Sequence, residues 1–387
     1  MKFVANLSLA LASTGFMLLA ATAEAKAINL TYDKSIGEPG FGPGQLFVPQ
    51  GVAKRDADGN IYVSNGRGYD PTTDTFLPNV GNSVSVFSPD GTYLRSVGSG
   101  AQGKGAGLDE PADLKFDPIS GNLYVGDVFN SEIDVYNPDT GEFVTSFAEF
   151  SGQGPGDIFF GPGGMDFDAQ GNLHVTDFSA DTVKVYGRDG ELVKTYGGLG
   201  TEGGQFDGPA GLAISETTGN IYINDQFNNR IQVLDSEENF LYAFGTEGVE
   251  LGQFNEPIGI DVDAEDNIYV ADSQNNRLQV FDKDGNFLTV FGEAVENAGP
   301  PAPGQLPFST NPADLEPGKF NWSGGLSYDK EKDQLLVGDF FTGRVQVLNV
   351  NRDGGAKKVP EPTTLLGLGV FALGAAATKL KKNKQSA

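Results

Sequence analysis

Apolar and polar residues alternate in short runs along most of the chain, and the runs recur. "NIYVADSQNNRLQVF" at 267–281 nearly repeats "NIYINDQFNNRIQVL" at 220–234, forty-seven residues earlier. Alternation with a period of two marks half-buried strands, and turn residues bound each run. The best-preserved copy predicts four strands: "GIDVD" at 259–263, "NIYVA" at 267–271, "RLQVF" at 277–281 and "NFLTVFG" at 286–292, with a tight turn at "DKDG", 282–285. A short strand ending in Asp marks further copies: "LYVGD" at 123–127, "LHVTD" at 173–177, "IYIND" at 221–225, "IYVAD" at 268–272 and "LLVGD" at 335–339. "IYVSN" at 61–65 is a sixth, with Asn65 in place of Asp. A Pro-x-Gly element or its remnant precedes each, from Pro49-Gln50-Gly51 to Ser323-Gly324-Gly325. An alternating strand such as "RVQVL" at 344–348 follows each.

Four short strands per unit, in six units, predict an all-β fold: a β-propeller of six blades. One blade alone cannot bury both faces, so the ring depends on its neighbours. The sixth copy stops at Val350, one strand short. "NLTYDKSIG" at 29–37 is predicted to supply that strand, completing the last blade, closing the ring and covering an edge. The stretch "GQFNEPIGIDVDAEDNIYVADSQNNRLQVFDKDGNFLTVFG" resembles the NHL repeat, in which Gly-x-Phe, Pro-x-Gly, a Tyr-Val-x-Asp strand and an Asn-Arg-hydrophobic-x-Val strand recur. Copies one, two, three and six are degenerate, and the resemblance covers roughly 29–353. It implies the six-bladed fold but not one function, because that family's fold hosts lyases, lactonases and passive binding platforms.

The two ends read differently. Residues 1–27 carry Lys2, an apolar stretch and the small-x-small sites Ala23-Glu24-Ala25 and Ala25-Lys26-Ala27, the pattern of a signal peptide. Residues 28–353 then form the propeller, and 354–387 a linker and tail. The tail holds Val359, Pro360, Glu361 and Pro362, an unbroken apolar run from Leu365 to Ala377, and Lys379, Lys381, Lys382 and Lys384. That run is short of the roughly 20 residues of a stable transmembrane helix, and the lysines favour the cytoplasmic side. The order Pro-Glu-Pro, apolar run, basic end resembles the PEP-CTERM sorting signal. The resemblance implies a transient membrane anchor, removal by an exosortase-type membrane peptidase, and a cell-surface or extracellular-matrix destination. An ordinary C-terminal anchor is the alternative.

Composition narrows the chemistry. The 54 glycines and 21 prolines follow no collagen period and read as turn residues. There is no cysteine, so neither disulfides nor thiolate catalysis are available. The net charge of −26 repels phosphate backbones and disfavours nucleic acid. His174, the only histidine, occupies a strand slot held by tyrosine in four other copies, so a multi-histidine zinc site cannot be assembled. No Gly-x-Ser-x-Gly elbow is present.

Three groups of candidate residues remain. Asp225, Asp272 and Asp339 precede Arg230, Arg277 and Arg344 by five residues, which sets each pair face to face across a hairpin as a blade-stabilising contact. Ser83, Glu132 and Thr182 replace that arginine in copies one to three. In copy two, Asp127 then faces Glu132 with Asp134 nearby, an arrangement that repels unless a cation such as calcium sits among the carboxylates. Two off-period insertions, 66–81 and 293–318, are expected to lie side by side through ring closure as loops bearing Tyr69, Asp70, Phe76 and Phe308, close to Trp322. They form a candidate lip, with acidic Asp74, Glu293 and Glu296 around it. The expected function is an exported, monomeric binding scaffold for an extracellular polysaccharide or protein. The alternative is a calcium-dependent lactonase-like or lyase-like propeller hydrolase with carboxylates at the central channel.

Overall fold

A computed structural model describes residues 27–70, 75–98, 107–150, 161–300, 305–306 and 308–352, with the side chains of 67–80 left aside. The signal-peptide reading and the tail at 354–387, including Val359, Pro360, Glu361 and Pro362, lie outside the described residues. Among the described residues no helix is long and apolar enough to cross a membrane.

The strands form six four-stranded antiparallel sheets. Blade one is Pro49–Lys54, Ile61–Asp70, Thr75–Phe87 and Tyr93–Val97; blade two is Pro111–Phe116, Leu123–Asp127, Glu132–Tyr136 and Phe143–Phe147. Blade three is Pro162–Phe167, Leu173–Asp177, Thr182–Tyr186 and Leu192–Gly197; blade four is Pro209–Ile214, Ile221–Asp225, Arg230–Leu234 and Phe240–Phe244. Blade five is Ile260–Val262, Ile268–Asp272, Arg277–Phe281 and Phe287–Phe291. Blade six is Ser323–Asp329, Gln334–Asp339 and Arg344–Asn351, completed by Asn29–Ile36, which pairs from Asn29↔Asn351 to Ile36↔Val345. The first strands of successive blades touch in turn, and blade six touches blade one, so the ring is closed.

Local chemistry explains the repeated letters. The tyrosine of the second strand packs between blades against the next blade's first strand. Tyr62 meets Phe116 edge-on at 5.0 Å, Tyr124 meets Phe167 at 5.1 Å, and Tyr269 stacks on Tyr328 at 5.6 Å. His174 fills the same slot in blade three, buried, with Nδ1 3.3 Å from the Tyr196 hydroxyl and Nε2 3.5 Å from Asp168. The glycine of Pro-x-Gly lets the first strands close on the channel. A Cβ on Gly259 would fall on the Gly324 carbonyl oxygen, and one on Gly211 on that of Ile258. The residue before the third strand adopts a left-handed backbone, and its side chain ties one blade to the next. Asn229 (φ 52°) accepts from Glu256 N–H and Asn276 (φ 55°) from Trp322 N–H, both at 2.8 Å.

One expectation is corrected. The insertion at 66–81 is largely paired strand rather than loop. It extends the second and third strands of blade one, with Arg67↔Gly81 and Tyr69↔Phe76 opposite each other. Ladder hydrogen bonds satisfy backbone groups that a long free loop would leave to water.

Candidate functional site

At the hub the first strands enclose a cavity of ≈ 350 Å³ lined from all six blades. That lies within the usual range for small-ligand sites, about 300–1,000 Å³. Its aromatic lining is Phe129, Phe178, Trp322, Phe340 and Phe341, with Phe178 edge-on to Phe227 at 5.5 Å and Trp322 tilted against Phe341 at 5.3 Å. Polar groups punctuate it: the Gln50 side-chain amide donates to the Glu110 carboxylate, and Gln226 donates to Glu256 at 3.4 Å.

The backbone holds some of these side chains under strain. The residue preceding the first strand, or preceding its proline, is left-handed in five blades: Glu110 (φ 60°), Gly161 (φ 81°), Gly208 (φ 61°), Glu256 (φ 48°) and Trp322 (φ 62°). Glycine takes this conformation freely, whereas an L side chain costs about 1 kcal/mol or more. Trp322 therefore carries a bulky ring where two other blades use glycine, and it lines the cavity.

Asp113 and Lys115 line the same cavity, and Asp166 and Asp261 stand in the field of Lys115. Each carboxylate is committed to the next blade's backbone. Asp113 accepts from Met165 N–H, Asp166 from Ile214 N–H and Asp261 from Tyr328 N–H, at 2.9, 2.9 and 2.8 Å. Lys115 Nζ lies 3.7 Å from Asp166. Burial alone would lower the Lys115 ammonium, but Asp166, Asp261 and Asp113 outweigh it and hold it well above its ordinary value. Burial pushes the Asp113 carboxyl up to about 6, against the pull of Lys115. These carboxylates do not fit a calcium ion: an ammonium already sits in their field, and the amides take their oxygens. Asp113 stands where every other blade has the Pro-x-Gly glycine. That departure was the available signal for this cluster, and the sequence reading did not use it. Phe178 and Phe341, just beyond the strand-ending aspartates, were missed as well.

The Asp–Arg pairs form in blades four to six. Arg230 and Arg277 Nε donate to Asp225 and Asp272 at 2.7 Å, and Arg344 Nε to Asp339 at 3.4 Å. Each guanidinium also donates to carbonyls of its blade's incoming connector, such as Val249, Glu250 and Gln253 for Arg277. A glutamine two residues on, Gln232, Gln279 or Gln346, donates to the same carboxylate. In blade three Lys184 takes that glutamine slot and reaches Asp177 at 2.8 Å. In blade two the pairing Glu132↔Asp127 gathers Asp127, Glu132 and Asp134, all buried, with one oxygen of each within 4.8 Å of the others. Burial first, then the Asp134 charge, pushes the Asp127 carboxyl up to about 8. Burial and Glu132 push Asp134 up to about 7.

The lip residues divide. Tyr69, Asp70 and Phe76 lie on the strand extension of blade one, where only the backbone is described. Phe308 is half-buried and packs edge-on against Phe41 at 5.2 Å, and Phe41 in turn meets Phe47. Trp322 instead faces Phe341, whose carbonyl accepts from Ser309 N–H at 2.9 Å. Trp322 thus belongs to the channel cavity, and Phe308 anchors its connector.

Residues 254–281 match the NHL repeat family model. No curated protein matches the chain. Similar solved structures include an auxiliary nutrient binding protein from Bacteroides ovatus, 15% identical with a TM-score of 0.56, over 84% of this chain and 77% of that one. Virginiamycin B lyase from Staphylococcus aureus is 13% identical with a TM-score of 0.51, over 83% and 99%. A gluconolactonase from Xanthomonas campestris is 14% identical with a TM-score of 0.51, over 83% and 99%. Identities this low speak for the fold alone.

Proposed function

We propose that this chain is an exported binding propeller of the cell surface or extracellular matrix, taking a glycan or protein group into the mouth of its central channel. The observation that carries the reading is the strained Trp322 facing Phe341 on a cavity whose Asp113 carboxylate, like those of Asp166 and Asp261 nearby, is already engaged by a backbone amide. Aromatic faces stack on sugar rings or apolar side chains, while Gln50, Glu110 and Gln226 offer the few polar contacts that fix orientation. The likeness to a nutrient-binding propeller is compatible with this use of the fold. Export and exosortase processing rest on the sequence of the two ends.

The experiment is calorimetric titration of the purified full chain with a panel of matrix polysaccharides, run beside a panel of lactones assayed for turnover. Binding without turnover is the expected result. Trp322→Gly removes the ring and relieves the left-handed strain, so it should weaken binding at least tenfold while leaving the thermal midpoint nearly unchanged. A tenfold loss corresponds to about 1.4 kcal/mol, within reach of one buried aromatic anchor. Normal binding by Trp322→Gly would move the site elsewhere. The second reading is a hydrolase, favoured by the Asp113 carboxyl at about 6 beside Lys115 on the cavity wall. Lactone turnover lost in Asp113→Gly would establish that reading instead.

A further inference from the structure

The six blades give four answers to one problem, namely what neutralises the carboxylate that ends the second strand. Blades four, five and six use a guanidinium and an amide. Blade three uses an ammonium, and blade one avoids the question with Asn65, whose Oδ1 accepts from Phe47 N–H at 3.1 Å. Blade two keeps the aspartate and places two further acids, Glu132 and Asp134, at the arginine and glutamine positions.

A second observation is independent of that cluster's acidity. Oδ1 of Asp134 has no hydrogen-bond partner although the residue is 0% exposed. Its other oxygen accepts from the Tyr136 hydroxyl at 3.1 Å. Asp127 is used on both oxygens by neutral donors: Asp109 N–H and Asn130 N–H at Oδ1, and the Asn130 side chain at Oδ2. Neither Asp127 nor Asp134 has a lysine or arginine partner among the described residues. A buried carboxylate oxygen left bare forfeits its hydration without recompense, so such an atom calls for a partner.

We propose that Asp127, Glu132 and Asp134 hold a hard divalent cation, calcium foremost, inside blade two. Three convergent carboxylates suit an all-oxygen ion, and water can complete the six to eight ligands that calcium takes. The ion would do the task that Arg230 and Arg277 perform in their blades, tying the second and third strands together from within the sheet. This position lies within the blade, apart from the carboxylates of the channel, and it depends on no assumption about the ligand at the channel mouth.

The test is calorimetric titration of the purified, chelator-treated full chain with calcium at pH 7.5, with thermal unfolding of the same samples. The wild type should take up one calcium per chain and unfold at a higher temperature with it. Asp134→Asn preserves shape and should weaken calcium at least tenfold. The double change Glu132→Arg with Asp134→Gln rebuilds the pattern of blades four to six, and should abolish uptake while remaining folded in chelator. Absence of uptake of calcium, magnesium and manganese by the wild type would overturn the proposal and leave shared protons as the neutralising agent. Undiminished calcium uptake by the double variant would also overturn it, because the ion would then sit elsewhere.

Discussion

Blades five and two share a strand plan but not a way of holding it together. In blade five Asp272 is a hub: it accepts from Asn255 N–H, Asn275, Arg277 and Gln279, and Arg277 carries the network on to three connector carbonyls. In blade two the same backbone register brings a second and a third carboxylate to Asp127. A propeller blade thus tolerates replacement of its polar hub so long as the apolar faces persist, and those of blade two keep a buried core, with Leu123, Val125, Ile133 and Val135 at 0–2% exposure. Fold and hub are separable, and the hub is where this chain has varied.

The sharpest break in that picture concerns ring closure, on which regular and irregular blades alike depend. Ile28, Leu30 and Ile36 are buried, and single truncations of such residues cost roughly 2–5 kcal/mol. Deleting residues 28–37 should therefore abolish the cooperative unfolding transition, since whole domains are stable by only about 5–15 kcal/mol. A variant with an unchanged midpoint would refute closure by this strand.

Next in size is the hub itself. Arg277→Met leaves Asp272 buried without its cation and takes a donor from three carbonyls, of which that of Gln253 keeps the Gln279 side chain. Urea unfolding should show a loss of about 3 kcal/mol. The same residue placed at the equivalent site of blade three, Thr182→Met, should cost less than about 1 kcal/mol, because Lys184 serves Asp177 there. Equal losses would mean that the hubs do not differ.

A smaller effect separates blade two at the channel. Burial holds the Asp113 carboxyl at about 6, above the ~3.9 of an unfolded chain. Between these values the folded protein binds a proton that the unfolded chain releases, so this group makes stability rise as pH falls from 7 to 5, and the contribution is lost above 6. Asp113→Gly, which installs the residue of the other five blades, should flatten the pH dependence of the urea midpoint over that range. Parallel curves for variant and wild type would contradict it.

Much of this was legible in the chain. Strand alternation, the Asp-terminated strand and the shortfall after Val350 lead to six blades and to Asn29–Ile36 as the closing strand. The Asp225–Arg230 and Asp127–Glu132 encounters follow from hairpin register, which is local. The channel was hidden because its lining comes from residues far apart in sequence. Asp113 of blade two and Asp261 of blade five share the field of Lys115 only once the blades surround the channel, and the left-handed backbone of Trp322 has no signature in a single letter. The strand extension around Tyr69 and Phe76 was obscured by Pro71 and by glycines at 66, 68 and 81, which read as loop.

The most direct measurement of the difference between the hubs is chelator-treated thermal unfolding of the wild type beside Glu132→Arg with Asp134→Gln. If blade two lacks what Arg277 and Gln279 provide to blade five, the double variant unfolds at the higher temperature. A double variant that unfolds at the same or a lower temperature would show that blade two is already satisfied, and the contrast between the blades would fall.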